Sequence, residues 1–254
     1  MKPSNHPSSL LTKNNLANIS PENRLQNQDY LEAVKAFARL TYQSVYVINY
    51  ENMSFEYVSD NPLFLSGYSA GEVQEMGYQF YFNHVPQSDL QMLSALNEAG
   101  FDFYKNLPSE EKSQYSITYD FHLIHKDGRQ ILINHKLTPL FLTNDGKLWK
   151  SMCIVSMSHH KAAGNIYIYK HGSDDKWELD LASNTWRKSK KTALTSREME
   201  ILYLYAQGLT IIEIAERIFV APDTVKYYRR RIFEKLGVDN IVEALSYAVN
   251  NKII

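Results

Sequence analysis

Leu194–Gly237 reads LTSREMEILYLYAQGLTIIEIAERIFVAPDTVKYYRRRIFEKLG, and its caps decide the fold of this end of the chain. Thr195 and Glu198 have the spacing of a capping box, in which hydroxyl and carboxylate each satisfy an otherwise unpaired backbone N–H. Leu194 and Met199 flank that cap as a hydrophobic staple. The helix that follows stops at Gly208, a residue that accepts the left-handed conformation of a helix end. The same device repeats at once: Thr210 with Glu213 as cap, Leu209 with Ile214 as staple, then the short helix IIEIAERI. Only Phe219-Val220-Ala221 separates it from Pro222, which suits the first turn of a third helix. Two helices joined by so short a turn have helix-turn-helix geometry.

The third helix, PDTVKYYRRRIFEKL, ends at Gly237. Val225, Tyr228, Ile232 and Leu236 recur at helical spacing and are expected to face the core. Lys226, Tyr227, Arg230 and Arg231 then fall on the outward face. A solvated surface is the ordinary explanation of such a charged stripe. The short capped helix and tight turn before it favour DNA instead, because a phosphate backbone attracts cations and a major groove admits one helix. A fourth helix begins near Asp239 or Asn240, and its apolar side can close the core or meet a second subunit.

These residues resemble the LuxR-type helix-turn-helix domain of bacterial regulators. The resemblance is carried by Leu194-Thr195, Arg197-Glu198, Ile201-Leu202, Gly208-Leu209-Thr210, Glu213-Ile214-Ala215, Thr224-Val225-Lys226, Lys235-Leu236-Gly237-Val238 and Glu243-Ala244. It implies that the helix starting at Pro222 is the recognition helix. Lys226, Tyr227 and Arg230 occupy positions that face DNA in the family, and Thr210 and Thr224 stand where phosphate contacts are common. The chain departs from the family pattern at Ala221, usually a capping Ser, and at Tyr228, Arg231 and Ile241, often His, Asn and Arg. The extra cation Arg231 can replace a polar backbone contact.

Charge is distributed accordingly. The whole chain carries 27 Lys+Arg against 28 Asp+Glu, but residues 187–254 have a net charge of +4 and residues 1–186 a net charge of −5. A basic end on an acidic body points to a polyanion facing only the tail. Apolar residues at 44% and charged residues at 22% are ordinary for a globular protein. The one cysteine, Cys153, excludes an internal disulfide and a cysteine-based zinc finger. With no apolar run of membrane-spanning length and no secretory signal at the N-terminus, a cytoplasmic location without membrane association is expected.

Residues 1–27, rich in Asn, Ser and Pro, are expected to be mostly disordered. A helix is expected from near Gln28, with Tyr30, Leu31, Val34, Phe37, Ala38 and Thr41 as a stripe to be buried on its own domain or on a partner. Residues 44–158 read as two strands, several short helices and three antiparallel strands, with Asp127-Gly128 and Asp145-Gly146 as turns. In the strand YSITYDFHLIH, Tyr115, Ile117, Tyr119, Phe121 and Leu123 share one face, and Ser116, Thr118, Asp120 and His122 the other. This segment resembles a PAS domain, through Tyr57 to Asn61, the Gly67-Tyr68-Ser69 run with Glu72-Val73, and the Lys126-Asp127-Gly128 hairpin. The expected fold is therefore α+β: a PAS-like antiparallel sheet with helices, then a four-helix LuxR-type domain. The expected divisions are 1–27 disordered, 28–160 PAS-like, 161–191 an added hairpin and basic linker, and 192–254 DNA-binding.

Other chemistry finds little support. His122 and His125, three apart on a strand, point to opposite faces, and His159-His160 read as solvated. A metal site is not expected, and Cys153 reads as a buried inert thiol. No phosphate-binding loop, nucleophile elbow or zinc-peptidase motif occurs, so the protein is not expected to be an enzyme. Most of the aromatics Tyr46, Phe55, Tyr57, Phe64, Phe80, Tyr81, Phe82, Phe101, Phe103 and Tyr104 read as core, and some as the lining of a ligand cavity. No residue names a cofactor. The expected partners are double-stranded DNA, a second copy of the chain, RNA polymerase and a small-molecule ligand in the PAS-like domain. The function expected is a one-component transcription regulator. The alternatives are a response regulator, a sigma-like promoter-binding protein and a protein-interaction adaptor.

Overall fold

The computed structural model describes Leu10, Lys13, Asn14, Leu16, Ile19, residues 30–251 and Ile253. The expected helix start at Gln28 and most of the expected disordered segment lie outside these residues. Of that segment, Leu10, Asn14 and Ile19 are buried, so at these positions the chain is packed. The protein divides into two compact units, Met1–Ser189 and Lys190–Ile254.

The first unit is built on one eight-stranded sheet. Helix α1 (Tyr30–Leu40) precedes β1 (Ser44–Asn49) and β2 (Ser54–Val58). Four helices follow: α2 (Pro62–Leu65), α3 (Ala70–Met76), α4 (Gln79–His84) and α5 (Gln87–Lys105). Then come β3 (Tyr115–Ile124), β4 (Gln130–Leu142), β5 (Leu148–Met157), β6 (Gly164–Lys170), β7 (Asp175–Asp180) and β8 (Thr185–Lys190). The strand order is β2-β1-β5-β4-β3-β6-β7-β8. Its first five strands, with the helices inserted between β2 and β3, form the PAS-like antiparallel fold expected from sequence. Gly128 and Gly146 adopt φ of 87° and 74°, which is how the two Asp-Gly turns reverse the chain within a few residues.

One face of the sheet packs Tyr46, Ile48, Phe55, Phe121, Leu123, Ile133, Cys153 and Val155 against Phe64, Val73, Phe80, Leu93 and Leu96 of the helices. On the other face α1 lays Val34 over Val45 and Val47, with Ile154 beside them. This answers where the α1 stripe goes: it covers its own sheet. It also explains why all six residues of β1 are buried, where a sheet with one wet face would alternate. Phe37 and Leu40 of the same helix stay exposed.

Two local readings need correction. The stretch after Trp186 is not simply a linker, because Thr185–Lys190 forms an eighth strand, and the added hairpin is a three-stranded meander. Trp186 explains it: its ring packs 5.5 Å from Phe103 and its indole N–H donates to the Ala99 carbonyl, 3.1 Å away. The second concerns His160, whose partner Asp120 on β3 is fully buried. Asn134 and Asn165 donate to its carboxylate at 2.8 and 2.9 Å, and His160 Nδ1 lies 2.5 Å from it. His160 is thus tied down by a buried acid instead of being solvated. His160 comes from the connection between β5 and β6, and Asn165 from the start of β6.

The second unit holds α6 (Ser196–Ala206), α7 (Ile211–Arg217), α8 (Pro222–Leu236) and α9 (Ile241–Asn250). Its core gathers Ile201, Leu202, Ile214, Ala215, Val225, Ile232, Leu236, Ala244 and Ala248.

Candidate nucleic-acid interface

The helix-turn-helix is held by its caps and by one ion pair. Thr195 and Thr210 each accept from the backbone N–H three residues on, while Glu198 and Glu213 accept the Thr195 and Thr210 N–H groups at 2.7 Å. Glu198 is buried and also receives Lys235 Nζ, at 2.6 Å, from the last turn of α8. Burial works against ionisation of Glu198, but Lys235 and the Thr195 N–H and hydroxyl overcome it and hold the carboxyl below the usual glutamate range. Arg197 donates to the Ile218 carbonyl at 3.1 Å, satisfying the end of α7. Sequence reasoning missed both long-range partners, Lys235 and Ile218.

The turn between α7 and α8 is made by Phe219, which takes φ of 55° and leaves its ring exposed. Ala221 provides no side-chain cap, so α8 starts on Pro222 alone.

From there α8 presents two faces. Val225, Ile232 and Leu236 are buried and Tyr228 is half-buried. Lys226, Tyr227, Arg230 and Arg231 are exposed together on the opposite side. Lys226 pairs with Asp223, one turn back, at 2.9 Å. Both members are exposed, and such a pair is worth only ~0–1 kcal/mol, so a phosphate or base can displace it. Arg229, by contrast, is half-buried and lies over the Phe233 ring. Thr224 is half-buried at the start of the helix. Thr210 is exposed, with its hydroxyl 2.7 Å from the Glu213 carboxylate, so a phosphate contact by Thr210 would compete with its own cap.

The first unit has a different kind of site. A cavity of about 80 Å³ lies under the second half of α5, with Phe101, Phe103 and Tyr104 among its walls. Tyr46, Phe55, Phe64, Phe80 and Tyr81 are packed core instead. Tyr46 stacks on Phe64 at 4.1 Å, and its hydroxyl bonds to Tyr81 and to His135 Nε2, the latter at 2.6 Å. Burial pushes His135 down to about 3, so its imidazole is neutral. Burial likewise pushes the Cys153 thiol up, out of the nucleophilic range. Among the described residues no group of three or more His, Cys, Asp or Glu is placed to hold a metal ion. No helix among them is long and apolar enough to cross a membrane.

Residues 192–248 match the luxR family of bacterial regulatory proteins. The oxygen regulatory protein NreC of Staphylococcus aureus is 27% identical over 136 residues, covering 54% of this chain. The chain spans little more than half, 58%, of that relative's length. Among solved structures, the VqmA dimer of Vibrio cholerae is similar over 87% of each chain, at 16% identity and a TM-score of 0.34. A PAS domain from Colwellia psychrerythraea is 18% identical over 51% of this chain and 98% of its own, with a TM-score of 0.37.

Proposed function

We propose that this chain, whose residues 192–248 are a LuxR-family helix-turn-helix domain, is a sequence-specific, one-component transcription regulator with a PAS-like sensory or pairing domain. The observation that carries this reading is the division of α8 into a buried apolar face and an exposed face of Lys226, Tyr227, Arg230 and Arg231. A helix so divided can enter a major groove without disturbing its own core. Lys226, Tyr227 and Arg230 are assigned to the groove. Arg231, Thr224 and Thr210 are assigned to the phosphate backbone. Each cation that neutralises a phosphate releases a counterion, so affinity falls as salt rises.

The regulator works as a homodimer on two half-sites, because doubling the contacts multiplies specificity. Val242 and Val249 on α9 and Phe37 and Leu40 on α1 are among the exposed apolar residues, and we assign them to pairing. The antiparallel sheet of the first unit does not favour a response regulator, whose receiver needs alternating strands and helices. The division of labour follows the expected boundaries: 28–160 for sensing, 161–191 for connection, 192–254 for DNA.

The test is selection of duplexes from a random pool by the full chain, followed by titration of the selected and a scrambled duplex at rising salt. Tighter, salt-sensitive binding of the selected sequence is expected. Equal affinity for both duplexes would remove the sequence-specific reading.

A further inference from the structure

The outward face of α8 is not uniformly charged. From Asp223 on, its exposed residues are Asp223, Lys226, Tyr227, Arg230, Arg231 and Glu234, and all but Tyr227 carry a charge. Helical spacing sets Tyr227 in the middle of this face, with Asp223 one turn back and Arg230 and Arg231 one turn on. Tyr227 is 54% exposed. An exposed tyrosine is ordinary in itself. What sets this one apart is what holds it. The Tyr228 ring meets it in a T-shaped contact, with centroids 5.5 Å apart and planes at 71°. That is a favoured arrangement of two aromatic rings. Tyr228 is half-buried and packs against the core of the helical unit. Tyr227 therefore has a brace rooted in the fold, at the position where the related regulators often have His.

A major groove offers such a ring one fitting surface. Purine N7, guanine O6 and thymine O4 accept hydrogen bonds, and adenine N6 and cytosine N4 donate them. A ring laid against any of these would strip its water and return no hydrogen bond. The thymine C5 methyl is the apolar feature of the groove, and it marks thymine against the other bases. A braced tyrosine also has little freedom to lose on contact, since only two side-chain torsions need fixing. The long side chains of Lys226 and Arg230 lose more when they dock.

We infer that the Tyr227 ring reads the C5 methyl group of a thymine, and that Tyr228 is the positioning residue that holds the ring for this contact. The inference rests on the assignment of α8 to the groove made above, and it names the base feature that one residue of that face recognises. The ring carries the discrimination. The Tyr227 hydroxyl, at its tip, is left to water or a phosphate oxygen, neither of which tells one base from another.

Uracil is the probe, because it lacks that methyl and keeps every hydrogen-bonding atom of thymine. In the duplex selected by the full chain, thymines are replaced by uracil one at a time and the affinity is measured. At one thymine the parent should lose about fourfold, the worth of one buried carbon group. Tyr227→Phe keeps the ring and should keep that loss. Tyr227→Ala should bind more weakly and become indifferent to uracil at that position alone. Its salt slope should equal the parent's, because no charge has been removed. Tyr228→Leu leaves an apolar group in the core but no ring edge. It should shrink the loss at that thymine, with circular dichroism and affinity for a scrambled duplex unchanged. A parent indifferent to every uracil would overturn the thymine contact. So would a loss that survives in Tyr227→Ala or vanishes in Tyr227→Phe. A folded Tyr228→Leu protein that discriminates as the parent does would overturn the brace. Equal affinity of the parent for selected and scrambled duplexes would remove the underlying reading itself. Preference for the selected duplex combined with indifference to uracil would remove the thymine contact and leave that reading standing.

Discussion

The two units of this protein keep their polar groups in opposite places. The helical unit has an apolar core with polar caps at its helix ends, Thr195, Thr210 and Asn240, and among the described residues Glu198 is its single buried charge. The sheet unit buries polar groups in its interior: Asp120 among Asn134, Asn165 and His160, Asp89 against His122, and His135 against Tyr46. The difference follows from how each unit is assembled. Helices satisfy their backbones locally, and only their ends need help. A wide sheet covered on both faces leaves its outward-pointing polar residues under loops and strands from far along the chain. Each of the pairs just named offsets the cost of burying its polar groups.

The largest expected effect breaks the helical unit alone. Val225→Asp puts an unpaired charge into a fully buried position, which should cost more than about 4 kcal/mol and unfold residues 190–254. Calorimetry should then show the sheet unit's transition unchanged. Loss of both transitions would mean that the units are not independent.

Acid should separate the units in the reverse order. Folded His135 stays neutral down to about pH 3, whereas in the unfolded chain it takes up a proton near its ordinary 6.5. Below that point the unfolded state binds more protons, so the sheet unit loses stability as pH falls, by about 1.4 kcal/mol per unit. Glu198 has a lowered pKa, so its contribution is complete above the ordinary glutamate value of 4.5 and is lost only as pH falls below it. Between about pH 6.5 and about pH 5 only the sheet unit's melting temperature should drop. A parallel drop in the helical unit would contradict the contrast.

Lys235→Met should cost the helical unit about 2 kcal/mol, less than the ~3–5 of a fully buried pair because Lys235 is partly exposed. Urea unfolding of the helical transition reads it, and no change would mean that the caps alone hold Glu198. The smallest effect is a gain. Ala221→Ser restores a side-chain cap to α8 and should stabilise the unit by about 0.5–1 kcal/mol, raising its melting temperature by a few degrees.

What could be read in the sequence divides along the same line. Both capping boxes, Gly208 and Gly237 as helix ends, the three-residue turn and the two faces of α8 are local signals, within four residues of one another. The Asp-Gly turns were legible for the same reason. The strand at Thr185–Lys190 was not, because RKSK reads as a charged linker and only Trp186, reaching back to Ala99, shows why it extends the sheet. Two of the three partners of Asp120 lie 40 and 45 residues away in sequence, and Lys235 lies 37 from Glu198. No periodicity encodes such pairs. Of the candidate interface, the sequence showed which residues share a face and that Glu213 engages Thr210, but not that Asp223 pairs with Lys226.

The central claim is that the exposed face of α8 reads DNA while the buried face holds the fold. The most direct measurement is titration of the Lys226→Ala, Arg230→Ala double variant against the duplex selected by the parent, at several salt concentrations, with circular dichroism on both proteins. The account predicts unchanged helicity and a loss of about 1–3 kcal/mol for each side chain that touches a base. Where a side chain touches phosphate instead, the salt slope should fall by about one. A double variant that is folded and binds the duplex as tightly as the parent, with the same salt slope, would contradict it.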